Sequence, residues 1–383
     1  FLMFSRLSLL NANDLSLLCD PWFGQNAYDG TWGQYPHIND IENTIGDFDR
    51  VYISHIHPDH YCKETLNLLF RKFGEKKIII ADWGEDKSNH LERKLRSDGF
   101  GDLLMVSNYE NFNDTELNII PNDTNSISDI DTALIVSSKS KGKGVLNIND
   151  CIYKKSHFNK INELRNKLKI EFTLFCLSYT GAGPYPQTYY SPKTEVDILI
   201  EKSNNKKKKF FRRYKKAIKE IKSIKRLPFA GQYILKGNLS KLNKYRGVAD
   251  ALEVKDFDKD AIILDDGGDA FFDLENIYSS RERNELYNPP EIIKSKNDYA
   301  WRTSISFYPH KTLLKRLLIE SIKKAHLKSE CKSNCLYSIY SYDDPKQIED
   351  IWSEKRPYEN RIPIITFNCN KDSNPLKDIN YNN

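Results

Sequence analysis

No apolar run in the chain approaches the roughly 20 residues that a membrane-spanning helix requires, so a helical integral membrane protein is excluded. A secretory leader is not legible either. Phe1-Leu2-Met3-Phe4 is apolar but lacks the basic start and the cleavage site of a signal peptide. Opening on Phe1 rather than Met, the chain reads as trimmed at its start. Cysteine is sparse: seven residues, an odd number at irregular spacing, which argues against a disulfide framework and predicts reduced thiols and a cytoplasmic location. The closest pair, Cys331 and Cys335, has only His326 nearby, too few soft ligands for a structural zinc site. Charge of one sign is also lacking. There are 58 basic and 53 acidic residues, a net of +5.

That balance hides one basic block. Residues 202–226 hold thirteen Lys or Arg and a single acid, Glu220; without this block the chain has 45 basic against 52 acidic residues. Phe210, Phe211, Tyr214, Ile218, Ile221 and Ile224 recur at near-helical spacing, predicting a helix with an apolar buried face. The plainest reading of its cationic face is a solvated surface. A site that gathers anionic substrate comes second, and phosphate-backbone binding to nucleic acid is ranked last.

Histidine is scarcer than charge, with eight residues in 383, yet three stand together in Ser54-His55-Ile56-His57-Pro58-Asp59-His60. The apolar run Val51-Tyr52-Ile53 precedes them. A buried strand ending here would place three imidazoles and a carboxylate in one small volume, a donor set suited to zinc, iron or manganese. A polar loop that is merely rich in histidine is the bland alternative, and it is the weaker one because three of only eight histidines would have to fall here by chance. The candidate ligands read from this stretch are His55, His57, Asp59 and His60.

With these residues stated, the cluster resembles the metal loop of the metallo-β-lactamase fold. Flanking text is similar to the catalytic domain of CMP-N-acetylneuraminate hydroxylase and its bacterial relatives. The blocks carrying the likeness are Cys19-Asp20-Pro21-Trp22-Phe23-Gly24, Tyr52 to His57, Leu146-Asn147-Ile148-Asn149-Asp150-Cys151, Gly181-Ala182-Gly183-Pro184-Tyr185-Pro186 and Pro228-Phe229-Ala230-Gly231. They span about residues 15–270, in the family's order. The resemblance implies a four-layer αββα sandwich in the α/β (α+β) class, with a small C-terminal α+β extension. We place the boundary so that 1–279 is the sandwich and 280–383 the extension.

Several residue roles follow only from that resemblance. Asp150 is placed where the fold has a carboxylate bridging two metals, the alternative being a helix N-cap. Asp59 acquires a second task, general base. Asp20 is either an orienting partner for a metal-bound imidazole or a turn aspartate, at equal odds. Asp131 matches a family aspartate and is a supporting group. The family's further histidine is absent from 122–130, so Asp123 or Asp129 could supply oxygen instead, while His157 is ranked below them. Hydroxylases of the family also carry a Rieske iron–sulfur module with paired Cys and His ligands, and none is recognisable in this sequence.

The remaining pattern predicts a strand at 15–19, a helix at 63–73, strands at 78–80, 103–106 and 117–120, a hairpin over 131–150, and a strand at 172–178. Pro228 to Gly231 reads as the beginning of a further strand. Residues 261–264 read as another, turning at Asp265 to Asp269, where EF-hand spacing is absent. Polar text at 280–300 suggests a linker, followed by a helix at 313–325 and strands near 335–341 and 361–368. His90, His310 and His326 read as surface residues.

The leading expectation is a metal-dependent hydrolase. One or two zinc ions, with iron or manganese as substitutes, would act through an activated water. Its partner would be a small anionic substrate, a phosphorylated or nucleotide-activated sugar. The alternatives are an iron-dependent nucleotide-sugar hydroxylase working with a separate Rieske redox partner, and a degenerate binding protein without catalysis.

Overall fold

The apolar runs around Leu17, Val51 and Ile78 become strands covered on both faces, which is why they read as continuous rather than alternating. The computed structural model of the chain describes residues 2–4, 7–12, 14–23, 27, 28, 30–35, 45–84, 89–123, 130–151, 153–229, 231, 233–264, 268–272, 277–279, 282–287, 335–339, 365–369 and 379–381. By chain contacts it divides into two units, Phe1–Pro186 with Ile200–Ser295, and Gln187–Leu199 with Lys296–Asn383.

In the first unit, β1 (Leu2–Phe4), β2 (Leu7–Asn11), β3 (Ser16–Cys19), β5 (Arg50–Tyr52), β6 (Lys77–Ala81) and β7 (Leu103–Val106) form one sheet with β15 (Gly268–Phe272) and β16 (Ile277–Ser279). The order is β16-β15-β1-β2-β3-β5-β6-β7, and β3, β5, β6 and β7 run parallel. A second sheet has the order β13-β12-β11-β10-β9-β8. Its strands are β8 (Tyr109–Asn111), β9 (Thr115–Pro121), β10 (Thr132–Ser138), β11 (Lys143–Asn147), β12 (Glu171–Ser178) and β13 (Lys225–Phe229). A short pair, β4 (Trp32–Gly33) with β14 (Ile234–Leu235), is separate.

Strand periodicity assigns each face. Leu17, Tyr52 and Ile79 point to the same cluster as Leu117, Ile119, Leu134 and Val136, so this cluster lies between the sheets. Leu18, Val51, Ile53, Ile78 and Ile80 point the other way, to Leu66 and Leu69 of helix α1 (Lys63–Phe73) and Leu95 of α2 (His90–Ser97). On the far side, Ala133, Ile135, Leu146 and Phe175 meet Phe158 and Ile161 of α3 (Lys155–Leu168), and Tyr214 and Ala217 of α4 (Val196–Glu220). Helix, sheet, sheet, helix is therefore the layer order, the metallo-β-lactamase-like sandwich that the resemblance implies. Each fully buried aliphatic side chain in these layers contributes about 1.5–3 kcal/mol.

Three expectations need correction. The basic helix runs Val196–Glu220 rather than 202–226, because Lys225–Phe229 pairs in parallel with Leu174–Ser178, and ladder hydrogen bonds hold the segment extended. Pro228 and Phe229 thus end a strand instead of opening one. Residues 261–264 form only isolated bridges at Ala261 and Leu264, while Gly268, expected in a turn, already begins β15. In the second unit, β17 (Cys335–Ile339), β18 (Ile365–Cys369) and β19 (Ile379–Tyr381) pair antiparallel. Of the linker expected at 280–300 only 282–287 are described, and the helix expected at 313–325, with His310 and His326, lies outside the described residues. Among the described residues no helix is long and apolar enough to cross a membrane.

Candidate metal centre

Four chain segments end or begin at the same edge of the sandwich. β3 and β5 are parallel neighbours, so Asp20 and the loop Ser54 to His60 emerge side by side from their C-terminal ends, where ligands of open α/β sheets gather. From the opposing sheet come the start of β10 and the end of β11, antiparallel partners with Leu134 opposite Asn147. Asp131 immediately precedes β10, and Asp150 follows β11. Two non-glycine residues with left-handed backbone make these exits: Asp20 at φ 46° and Asn149 at φ 44°. Asp and Asn tolerate that region better than other side chains. Asn149 is fully buried, with its amide nitrogen donating to the Thr132 carbonyl at 3.3 Å, which fixes the direction in which Asp150 leaves the strand.

Polar contacts at this edge define proton positions. The Ser54 hydroxyl donates to Asp20 Oδ2 at 2.7 Å, and the Ser54 amide donates to Oδ1 at 2.7 Å. Since that hydroxyl has one hydrogen, His55 Nδ1, 3.0 Å from Ser54 Oγ, must be the donor of its pair. In the neutral ring His55 Nε2 then carries the lone pair, and it faces His57 Nδ1 at 2.8 Å and Asp131 Oδ1 at 3.5 Å. His60 lies between two carboxylates, with Nδ1 2.9 Å from Asp20 Oδ2 and Nε2 3.4 Å from Asp150 Oδ2. Burial opposes a charge on His60, but Asp20 and then Asp150 outweigh it and raise its pKa to about 10.

Among the described residues, two sets of donor atoms gather within 4.8 Å: His55, His57 and Asp131, and His55, His60 and Asp150. His55 is common to both. Of the sequence-derived candidates, His55, His57, His60 and Asp150 are thus brought together, whereas Asp59 is in neither set. Its Oδ1 accepts from the Tyr28 hydroxyl at 3.2 Å, and the residue is buried. Asp20 fills both of its alternatives at once, holding a backbone amide and clamping His60. Asp131, expected as a supporting group, joins a donor set with His55 and His57, one residue beyond the stretch 122–130 in which a histidine was sought. Its position directly before a strand paired with the strand ahead of Asp150 was the available signal. Asp129 lies outside the described residues. His157 is committed elsewhere, with Nδ1 accepting from the Lys154 amide at 3.1 Å and Nε2 donating to the Asp123 carbonyl at 2.7 Å.

Nitrogen and carboxylate donors around buried imidazoles fit a first-row divalent cation such as zinc, iron or manganese. The clamp of Asp20 on the rear nitrogen of His60 is the support that such ligands carry. Cys151 is in neither donor set, and burial and then the charge of Asp131 push its thiol well above its ordinary pKa.

No family model matches the chain. Cytidine monophosphate-N-acetylneuraminic acid hydroxylase of Danio rerio is 25% identical over 231 residues, which are 58% of this chain and 36% of that protein. The chain is similar to these hydroxylases. A putative Rieske 2Fe-2S iron-sulfur protein of Mycolicibacterium smegmatis is 31% identical over 93 residues, 24% of this chain and 17% of that one. This chain therefore spans well under half the length of the curated relatives it matches. Among solved structures, a metallo hydrolase from the archaeon Ignicoccus hospitalis gives a TM-score of 0.43 at 13% identity, covering 74% of this chain and 98% of that one.

Proposed function

We propose that the sandwich, residues 1–279, is a metal-dependent hydrolase acting on a phosphorylated or nucleotide-activated sugar-like substrate. The observation carrying this reading is the convergence of His55, His57 and Asp131, and of His55, His60 and Asp150, at one edge of two sheets. His55, His57, Asp131, His60 and Asp150 would hold one or two divalent cations. Bound there, a cation supplies Lewis-acid activation of water and of the bond to be broken.

The chain's own groups do the rest. Asp20 fixes the ring of His60 and keeps its Nδ1 protonated, so that Nε2 is the nitrogen offered. Ser54 does the same for His55. Asp59, steadied by Tyr28, takes the proton-acceptor role, and Tyr52 with Thr132 holds the loop in place beneath. A basic face on α4 draws anionic substrate towards the protein.

Metal analysis of the purified protein tests this. Stoichiometric metal that is lost in His55→Ala, the residue common to both donor sets, supports the reading, together with hydrolysis of a nucleotide sugar by the wild type only. A folded, metal-free wild type rejects it.

One observation favours a second reading, an iron-dependent nucleotide-sugar hydroxylase component with a separate Rieske redox partner: the 25% identity to the Danio rerio hydroxylase. Substrate-dependent oxygen uptake with a reductase and a Rieske protein, by iron-loaded enzyme, separates it from hydrolysis.

A further inference from the structure

Arg246 is 7% exposed, yet its Nη1 has no hydrogen-bond partner. The other well-packed arginines are treated differently. Arg226 grips Asp258 through two nitrogens, and Arg283 does the same with Asp250. For Arg246 the nearest groups are neutral: Nε donates to the Asn243 carbonyl at 3.0 Å, and the guanidinium lies over the ring of Tyr233, 5.0 Å from its centroid. A second cation stands beside it. Lys206 Nζ donates to the Arg246 carbonyl at 2.9 Å and to the Tyr185 carbonyl at 2.8 Å, which leaves one of its three hydrogens unused. Neither side chain has a carboxylate within ion-pair distance among the described residues.

We propose that Lys206 and Arg246 form a pocket for an anionic group, a phosphate or a carboxylate, at the Gly181-Ala182-Gly183-Pro184 loop.

Two cations withdrawn from water without a counter-ion are costly, and an anion binding there offsets that cost. Burial first, and then the charge of Arg246, lower the Lys206 pKa to about 8, the direction expected of cations lacking a counter-charge. A guanidinium nitrogen without a partner and an ammonium with a hydrogen to spare, on two residues joined by the bond from Lys206 Nζ to the Arg246 carbonyl, are donors that oxyanions accept. The loop is stitched to both: Tyr233 donates its hydroxyl to the Gly183 carbonyl at 3.0 Å, and Lys206 takes the Tyr185 carbonyl. Gly183, at φ 145°, has open space where a side chain would begin, so an incoming group can approach the backbone there.

Aromatic contacts tie this pocket to the metal loop. Tyr233 stacks on Trp32 with centroids 4.1 Å apart, Trp32 meets Tyr28 at 4.2 Å, and Tyr28 donates to Asp59. A substrate with its negative group some bonds away from its reacting bond would span the two ends. That the anion belongs to the substrate rests on the hydrolase reading, whereas the pocket itself does not.

Calorimetric titration of the full chain with inorganic phosphate, and separately with sodium acetate at matched ionic strength, provides the test. Phosphate or acetate should bind to the wild type, and the tighter of the two names the group. Lys206→Met and Arg246→Lys should each weaken that binding by about tenfold or more, while Lys208→Met, an exposed lysine on the same helix, should not change it. Circular dichroism confirms that each variant folds. His55→Ala should still bind the anion, so a failed metal centre is told apart from a failed pocket. Binding to neither anion, or binding that both variants retain in full, overturns the proposal.

Discussion

Asp20 Oδ2 lies 2.9 Å from His60 Nδ1, and both residues are fully buried. One oxygen thereby links the end of β3 to the last imidazole of the metal loop, and it also receives the Ser54 hydroxyl. Orientation of His60 is a property of this contact rather than of the loop alone.

Asp20→Asn keeps the shape and removes the charge. Metal affinity should fall about 10- to 100-fold, the usual effect of losing a ligand's supporting carboxylate. Competition with a chromogenic chelator measures it. Unchanged affinity would mean that His60 is oriented by other contacts.

The metal-free protein should lose stability as pH rises. His60 is raised from an ordinary 6.5 to about 10, so its protonated form stabilises the fold. That contribution is complete below about pH 6.5 and disappears as the pH passes through about 10. Urea unfolding of chelator-treated protein across this window checks the sign, and Asp20→Asn should flatten the slope. Cation binding displaces the Nε2 proton, so affinity should strengthen over the same window.

His55 belongs to both donor sets, whereas Asp131 and Asp150 each serve one. His55→Ala should therefore abolish metal binding. Asp131→Asn and Asp150→Asn should each leave a partial complement, read by inductively coupled plasma mass spectrometry. If Asp131→Asn has no effect on content or affinity, the set containing His57 is not a ligand site.

Gly247 has φ 62°, and a Cβ there would sit 2.6 Å from the Ser203 carbonyl oxygen of α4. Gly247→Ala combines left-handed strain with a backbone clash and should cost about 2–4 kcal/mol in urea unfolding. Because Arg246 is the preceding residue, anion binding should weaken in the same variant.

Much of the sandwich was legible because its central strands are buried on two faces. Val51-Tyr52-Ile53 and Ile78-Ile79-Ile80 are short runs rich in β-branched and aromatic residues, which favours a buried strand over a helix segment. The register of α4 was not, since the apolar spacing of Ile221 and Ile224 continues the helical pattern while strand pairing by Lys225–Phe229 overrides it. At the centre, local spacing announced His55, His57 and His60, which are close in sequence. Asp131 was read only as support, since its approach to His55 depends on two sheets meeting, and no spacing encodes that. Asp59 is a different case: adjacency in sequence suggested a ligand, and the structure gives its Oδ1 the Tyr28 hydroxyl and places it in neither donor set.

All three imidazoles and Asp20 belong to one sheet's loops, while Asp131 and Asp150 are the two ends of a hairpin in the other. An ion gripped by both would act as a rivet through the mouth of the sandwich, adding to the polar stitch made there by Thr132 between Tyr52 and the Ser54 carbonyl. Demetallation should accordingly be felt as fraying between layers. Amide exchange would accelerate first at the start of β10 and the end of β11, well before any loss of the helices outside.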